Sequence, residues 1–219
     1  MSTTIYSGVG DGDIYVTSSP GVSSWEDARD ATSGTATSNA LSNSTAVRAV
    51  VIGSGRGTTY SVSRAFFHFD VSGITHIPKA VKLQIFGTTT LAADMRLVKS
   101  NHQTTLANTD FDAIEGWVAG GNNTSNVTFY DIEEISAWSP SGYNTITLSR
   151  QALVDIAGLS TFKCCLIEAD NDLRDAAPTA PSGILNTSGV WYREALGTSK
   201  DPKLVLTTQD DAVFFGANF

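Results

Sequence analysis

The stretch SRAFFHFDVSGI, residues 63–74, decides how the chain folds. Read as an extended segment, it puts Ala65, Phe67, Phe69 and Val71 on one face and Arg64, Phe66, His68 and Asp70 on the other. Successive strand side chains point to opposite sides, so the two sets face different environments. The first set is wholly apolar, which marks it for the interior between two packed sheets. The second mixes rings, a cation and a carboxylate, the pattern of a strand under a loop or a short plug helix. His68, between aromatic neighbours, reads as a structural group rather than a catalyst. Asp70, Ser72 and Gly73 then close the strand through local backbone bonds.

The same alternation runs outward from this stretch. In KAVKLQIF (79–86), Val81, Leu83 and Ile85 share one face while Lys82 and Gln84 share the other, as in a half-solvated antiparallel strand. YNTITLS (143–149) sets Ile146 and Leu148 against Thr145 and Thr147, and PKLVLTT (202–208) pairs Leu204 with Leu206. Further strands are predicted at 13–17, 46–52, 60–71, 94–98, 126–130, 161–168 and 189–193, with Gly, Ser, Asn and Thr breaking the runs. Three pieces read as helices. SSWEDARDA (23–31) has Ser24 as cap with Glu26 and Asp27 in the first turn. NTDFDAIEGWV (108–118) has Thr109 as cap and Phe111, Ile114 and Val118 on one face. SRQALVDIAG (149–158) has Ser149 as cap, Leu153 and Ile156 inward and Gly158 at the stop. None is long enough to fold alone. The expected fold is therefore all-β, an antiparallel, jelly-roll-like sandwich with a few short plug helices. Residues 1–45 read as an N-terminal extension with the first strand or strands, 46–208 as the sandwich domain, and 209–219 as a C-terminal apolar arm. Segments 33–45 and 170–188 read as the loop-rich zones.

Composition narrows the function. The chain of 219 residues carries 14 Lys and Arg against 22 Asp and Glu, a formal net charge of -8, and no basic run. Nucleic acid is bound mainly through clustered Lys and Arg, so it is not an expected ligand. No apolar run is long enough to span a bilayer, and the first residues lack the pattern of a secretory signal, so no membrane role and synthesis in a cytoplasm are expected. The two cysteines, Cys164 and Cys165, are adjacent in a strand-like run. Their sulfurs should point to opposite faces as small apolar fillers, with no bridge between them.

A resemblance enters at the opening stretch. SRAFFHFDVSGI followed by IPKAVKLQIFG (77–87) is similar to the signature of DNRLRE-type domains, β-sandwiches related to carbohydrate-binding modules. Arg64, Phe69, Asp70, Ser72, Ile77, Pro78, Val81 and Leu83 fill corresponding places. YNTITLSRQALVDI (143–156) and DPKLVLTT (201–208) resemble the later half of such domains more loosely, so the likeness runs over about 62–207. The N-terminal part and the final tail depart from the pattern, and no ligand site of the family carries over. Similar sequences occur among structural proteins of tailed bacteriophages. The resemblance thus implies a virion protein, synthesised in the host cytoplasm.

Candidate sites follow from residue type. In EADNDLRDAAP (168–178), Asp170, Asp172 and Asp175 sit just past a buried strand, where carboxylates can hold calcium. The spacing lacks the glycine and distal glutamate of an EF-hand, and a turn built on Asx bonds with an Asp172–Arg174 pair is the competing reading. No other cofactor is expected. His68, His76 and His102 come without an activated nucleophile motif, and GSGRG (53–57) lacks the lysine and helix of a phosphate loop, so no enzyme is expected. A glycan site would use ring faces, for which Trp138, Trp191 and Tyr192, with Trp117, are the candidates. The final QDDAVFFGANF (209–219) places Val213, Phe214, Phe215 and Phe219 in a segment too short to bury itself, either folded back on its own sandwich or laid on a partner. The expected partners are other virion proteins, a second copy of the chain, or a glycan. The leading expectation is a non-enzymatic capsid decoration protein. The alternative is a glycan-binding module of a tail or fibre, used for host-surface adhesion.

Overall fold

The strand β5 (Gly57–Asp70), which contains the opening stretch, is the spine of the larger of two sheets. The computed structural model describes residues 1–21, 24–38, 41–54, 57–88, 93–179, 187–193 and 197–208. On one flank β5 pairs through residues 61–66 with β2 (Gly12–Thr17), which in turn pairs with β3 (Thr35–Ser38). On the other flank it pairs first with β4 (Ser42–Ser54) and then, end to end, with β9 (Thr161–Glu168). Beyond these lie β10 (Thr187–Trp191), against β4, and β7 (Met95–Lys99), against β9. The smaller sheet runs in the order β1 (Ser2–Tyr6), β11 (Lys203–Thr207), β6 (Ala80–Phe86), β8 (Tyr143–Thr147). All of these pairings are antiparallel. The fold is an all-β sandwich.

The predicted faces hold. Ala65, Phe67, Phe69 and Val71 join Val81, Leu83, Ile85, Ile146, Leu204 and Leu206 in one cluster between the sheets. The outer face of the large sheet is buried as well. Phe66 and Val62 pack with Ile14, Ala49, Phe111, Ile114, Val127 and Leu173 in a second cluster under α1 (Trp25–Arg29) and the irregular segment 106–129. The large sheet is thus a middle layer, covered on both sides. Cys164 belongs to the first cluster and Cys165 to the second, both as free thiols, because neighbouring strand residues point to opposite faces.

The helices come out in part as the sequence suggests. Ser24 caps α1 in a reciprocal box with Asp27, and Ser149 caps α2 (Arg150–Gly158), which buries Leu153 and Ile156. The helix expected over 108–118 is instead a single 3-10 turn, Asn108–Asp110, followed by turns. Val118, placed on its apolar face, is exposed, and Gly116 at φ 85° breaks the helical path. The strand expected over 126–130 is reduced to a lone bridge at Phe129 with Val98. Segment 33–45, read as loop, supplies β3 and the start of β4. Residues 1–45, read as an extension, put β1 in the small sheet and β2 in the large one, so they belong to both layers.

Candidate functional site

The strongest polar constellation lies on the outer face of β5. Arg64, fully buried, reaches Asp172 on the π-type turn Ala169–Leu173 that follows β9. Its Nε and Nη2 donate to Asp172 Oδ2 and Oδ1 at 2.8 and 2.7 Å, a bidentate pair. Its remaining donors go to the carbonyls of Phe111 and Arg29, and its guanidinium lies 4.1 Å from the ring centroids of both Phe111 and Trp117. Arg29, at the last turn of α1, is fully buried too. It donates to the carbonyls of Asp172 and Gly121 and to Asp30 Oδ1, and lies 4.5 Å from the Trp117 ring. Two arginines, a tryptophan and a carboxylate therefore clamp β5, α1, the turn after β9 and segment 111–121 together.

Glu168 fixes the turn that carries Asp172. Its carboxylate accepts the backbone N–H groups of Asp170, Asn171 and Asp172 at 3.1, 2.7 and 2.9 Å. Burial pushes this carboxyl up to about 7, against the pull of those three N–H groups. The three aspartates proposed as calcium ligands are engaged by protein cations and a tryptophan, and Arg29 Nε lies 3.9 Å from Asp172 Oδ1 and 3.5 Å from Asp175 Oδ1. Asp172 is held by Arg64 and not by Arg174, the partner the sequence suggests; Asp175, at φ 55°, accepts from Trp25 Nε1; Asp170 pairs with Arg174. Asp170 is thus held by a different arginine from Asp172 and Asp175, which both lie by Arg29. The described carboxylates that do converge, within 4.8 Å of one another, are Asp94, Glu134 and Asp170, and Arg174 bridges the last two.

A second polar cluster surrounds His68. Its Nδ1 lies 3.0 Å from Asp11 Oδ1 without the alignment of a hydrogen bond, while its backbone N–H donates to the same oxygen. Burial raises the Asp11 carboxyl, with His68 opposing. A Cβ at Gly8 would fall 1.8 Å from His68 Nε2, so only glycine lets the 7–10 turn close over the ring. Beneath it His102, held down at about 3 by burial with Lys163 adding to the effect, bonds Ser100 Oγ at 2.7 Å. Above it opens a cleft of about 480 Å³ whose lining includes Tyr6, Asp70, Thr104, Thr161 and Arg193. A smaller groove of about 330 Å³ lies at the opposite, β8 edge of the small sheet, between β8 and segment 132–137.

The rings named for a glycan do not form a platform. Trp138 is buried and donates Nε1–H to the Gly189 carbonyl at 3.0 Å, and Tyr192 is fully buried with its hydroxyl on Asp13 at 3.1 Å. Trp191 is half-buried, with Lys200 Nζ 3.9 Å above its ring. Trp117 serves the arginine clamp. Trp138 and Tyr192 are drawn inward by the area they bury and by a partner for their polar atom. Val213, Phe214, Phe215 and Phe219 lie outside the described residues. Sequence reading missed Arg29, whose partners Asp172 and Gly121 are remote in the chain, and Arg193, and it read Asp11 as part of a turn; the one sequence signal was the cation among the rings on the outer face of β5. No protein-family model matches the chain, and no curated protein matches it.

Proposed function

We propose that this chain is a non-enzymatic structural protein of a tailed-phage particle, a capsid decoration protein made in the host cytoplasm. The observation that carries the reading is where the chemically capable groups go. Arg29, Arg64, Asp172 and Trp117 are consumed in a buried clamp, and the outward face of the small sheet mixes polar positions such as Ser2, Thr4, Lys82, Gln84, Thr145 and Thr147 with Tyr6, Phe86, Tyr143 and Val205. Such a surface suits adhesion by many weak contacts repeated by symmetry. The resemblance of 62–207 to DNRLRE-type domains of phage structural proteins supports the same reading. Segment 209–219, directly after β11, is the arm that grips a neighbouring subunit.

The test is particle incorporation. Particles assembled with a chain lacking residues 209–219 should carry markedly fewer copies, read by quantitative mass spectrometry, while the isolated truncated chain melts at the full-length temperature. Full occupancy by the truncated chain contradicts the arm.

A further inference from the structure

The groove beside β8 has an open backbone edge. Along β8 the backbone alternates in direction: Leu148 N–H donates to Val81 on β6, whereas the Thr147 carbonyl turns outward and accepts Ile132 N–H at 3.3 Å. By the same alternation Thr145 turns its N–H and C=O outward, and among the described residues neither has a partner. Segment 133–137 stands off from the strand here, its Ile135 paired instead with Met95 on β7, and the gap is the 330 Å³ groove. An unpaired edge of this kind is a template for another strand.

The mouth of the groove is acidic. Glu133 and Glu134 line it, and Glu134 clusters with Asp94 and Asp170. Among the described ion pairs, Arg174 is the cation that reaches two of these four carboxylates, Glu134 and Asp170. Ile132 and Ile135 supply apolar lining on either side of the two glutamates in the segment, and Ile132 is 58% exposed. An open backbone N–H and C=O, an acidic rim and spaced apolar positions together describe the receptor for an extended segment with alternating cationic and apolar side chains.

We propose that the groove between β8 and 132–137 receives an extended cationic peptide segment, which pairs with Thr145 as an added strand and sets its lysines or arginines against Glu133 and Glu134. This rests on the particle reading for the origin of the segment, a neighbouring subunit, but the binding itself is a property of the isolated chain. The probe is a fluorescein-labelled nine-residue peptide alternating Lys and Val, titrated into the full chain and followed by anisotropy. Binding should weaken at least about tenfold for the Glu/Val counterpart, for a version with proline at its centre, and for the Glu133→Lys/Glu134→Lys chain. Thermal melts of that variant confirm that it folds. No binding by the Lys/Val peptide overturns the proposal, as does binding indifferent to the central proline or to the charge reversal. Calcium binding at Asp94, Glu134 and Asp170 that displaces no peptide overturns it too. Incorporation into particles is read separately, so a chain that enters particles yet binds no peptide refutes this inference and leaves the particle reading standing.

Discussion

Replacing Asp172 with alanine tests whether the clamp over β5 holds the fold. Arg64 and Asp172 are both fully buried and joined by two charge-assisted bonds of 2.7 and 2.8 Å. After Asp172→Ala, Arg64 keeps the carbonyls of Phe111 and Arg29, but the other carboxylates nearby, Asp30 and Asp175, are engaged with Arg29. A guanidinium stays buried without its counter-charge. Two charge-assisted bonds at roughly 1.5–3 kcal/mol each, or equally the cost of breaking a buried pair, put the loss at about 3–5 kcal/mol. Against a total stability of about 5–15 kcal/mol that is a large share, and it corresponds to a melting point lower by roughly 6–20 °C. Urea unfolding of the wild type, Asp172→Ala, Arg64→Met and the double variant Arg64→Met/Asp172→Leu forms the cycle. The double variant should recover part of the loss, because removing both charges leaves no orphan. A loss below about 1 kcal/mol for Asp172→Ala, the scale of an exposed pair, would refute the argument.

Phe67 packs at the centre of the inter-sheet cluster with its ring 5.7 Å from Tyr192, so Phe67→Ala should cost about 3–5 kcal/mol in the urea midpoint analysis. Glu168 gives a pH signature. Its carboxyl is raised from 4.5 to about 7 in the fold, so the folded state holds a proton that the unfolded state has released, and stability falls as pH rises from about 4.5 to 7. The stability of Glu168→Gln minus that of the wild type should therefore climb by about 1.4 kcal/mol per pH unit across that window. His102, lowered from 6.5 to about 3, acts oppositely: its contribution is present above 6.5 and is lost as pH falls. Parallel pH profiles for Glu168→Gln and wild type would show that this carboxyl does not titrate as burial dictates.

Much of the sandwich was legible because its strands are amphipathic at period two. β6 spans the same residues in sequence and structure, 80–86, and the inward set of β5 is the one its alternation names. β1 and β3 were not legible. STTIY and TATS carry little apolar alternation, and an edge strand needs only a neighbour to pair with. The helix expected over 108–118 failed for a related reason. Phe111 and Ile114 are buried as a helical face requires, but they lie over the outer face of β5, and packing there is satisfied by turns. A periodic apolar pattern reports burial; the backbone that achieves it is settled by what lies opposite.

The polar residues show the limit more sharply. The sequence marks Asp170, Asp172 and Asp175 as an acidic turn, and a run of carboxylates with no visible counter-charge invites a metal. The counter-charge exists, but Arg64 precedes Asp172 by 108 residues and Arg29 precedes it by 143. Most of the residues behind the expected likeness to DNRLRE-type domains hold posts of the same kind, though Ile77 is exposed. Arg64 anchors the clamp, Phe69, Val81 and Leu83 fill the core, and Asp70 closes β5 by accepting the N–H and hydroxyl of Ser72 at 3.0 and 2.6 Å. Those are requirements of building a sandwich whose middle sheet is covered on both faces. A motif composed of such residues transmits an architecture, and the peptide site proposed at Thr145 and the acids beside it draws on positions that the architecture does not need.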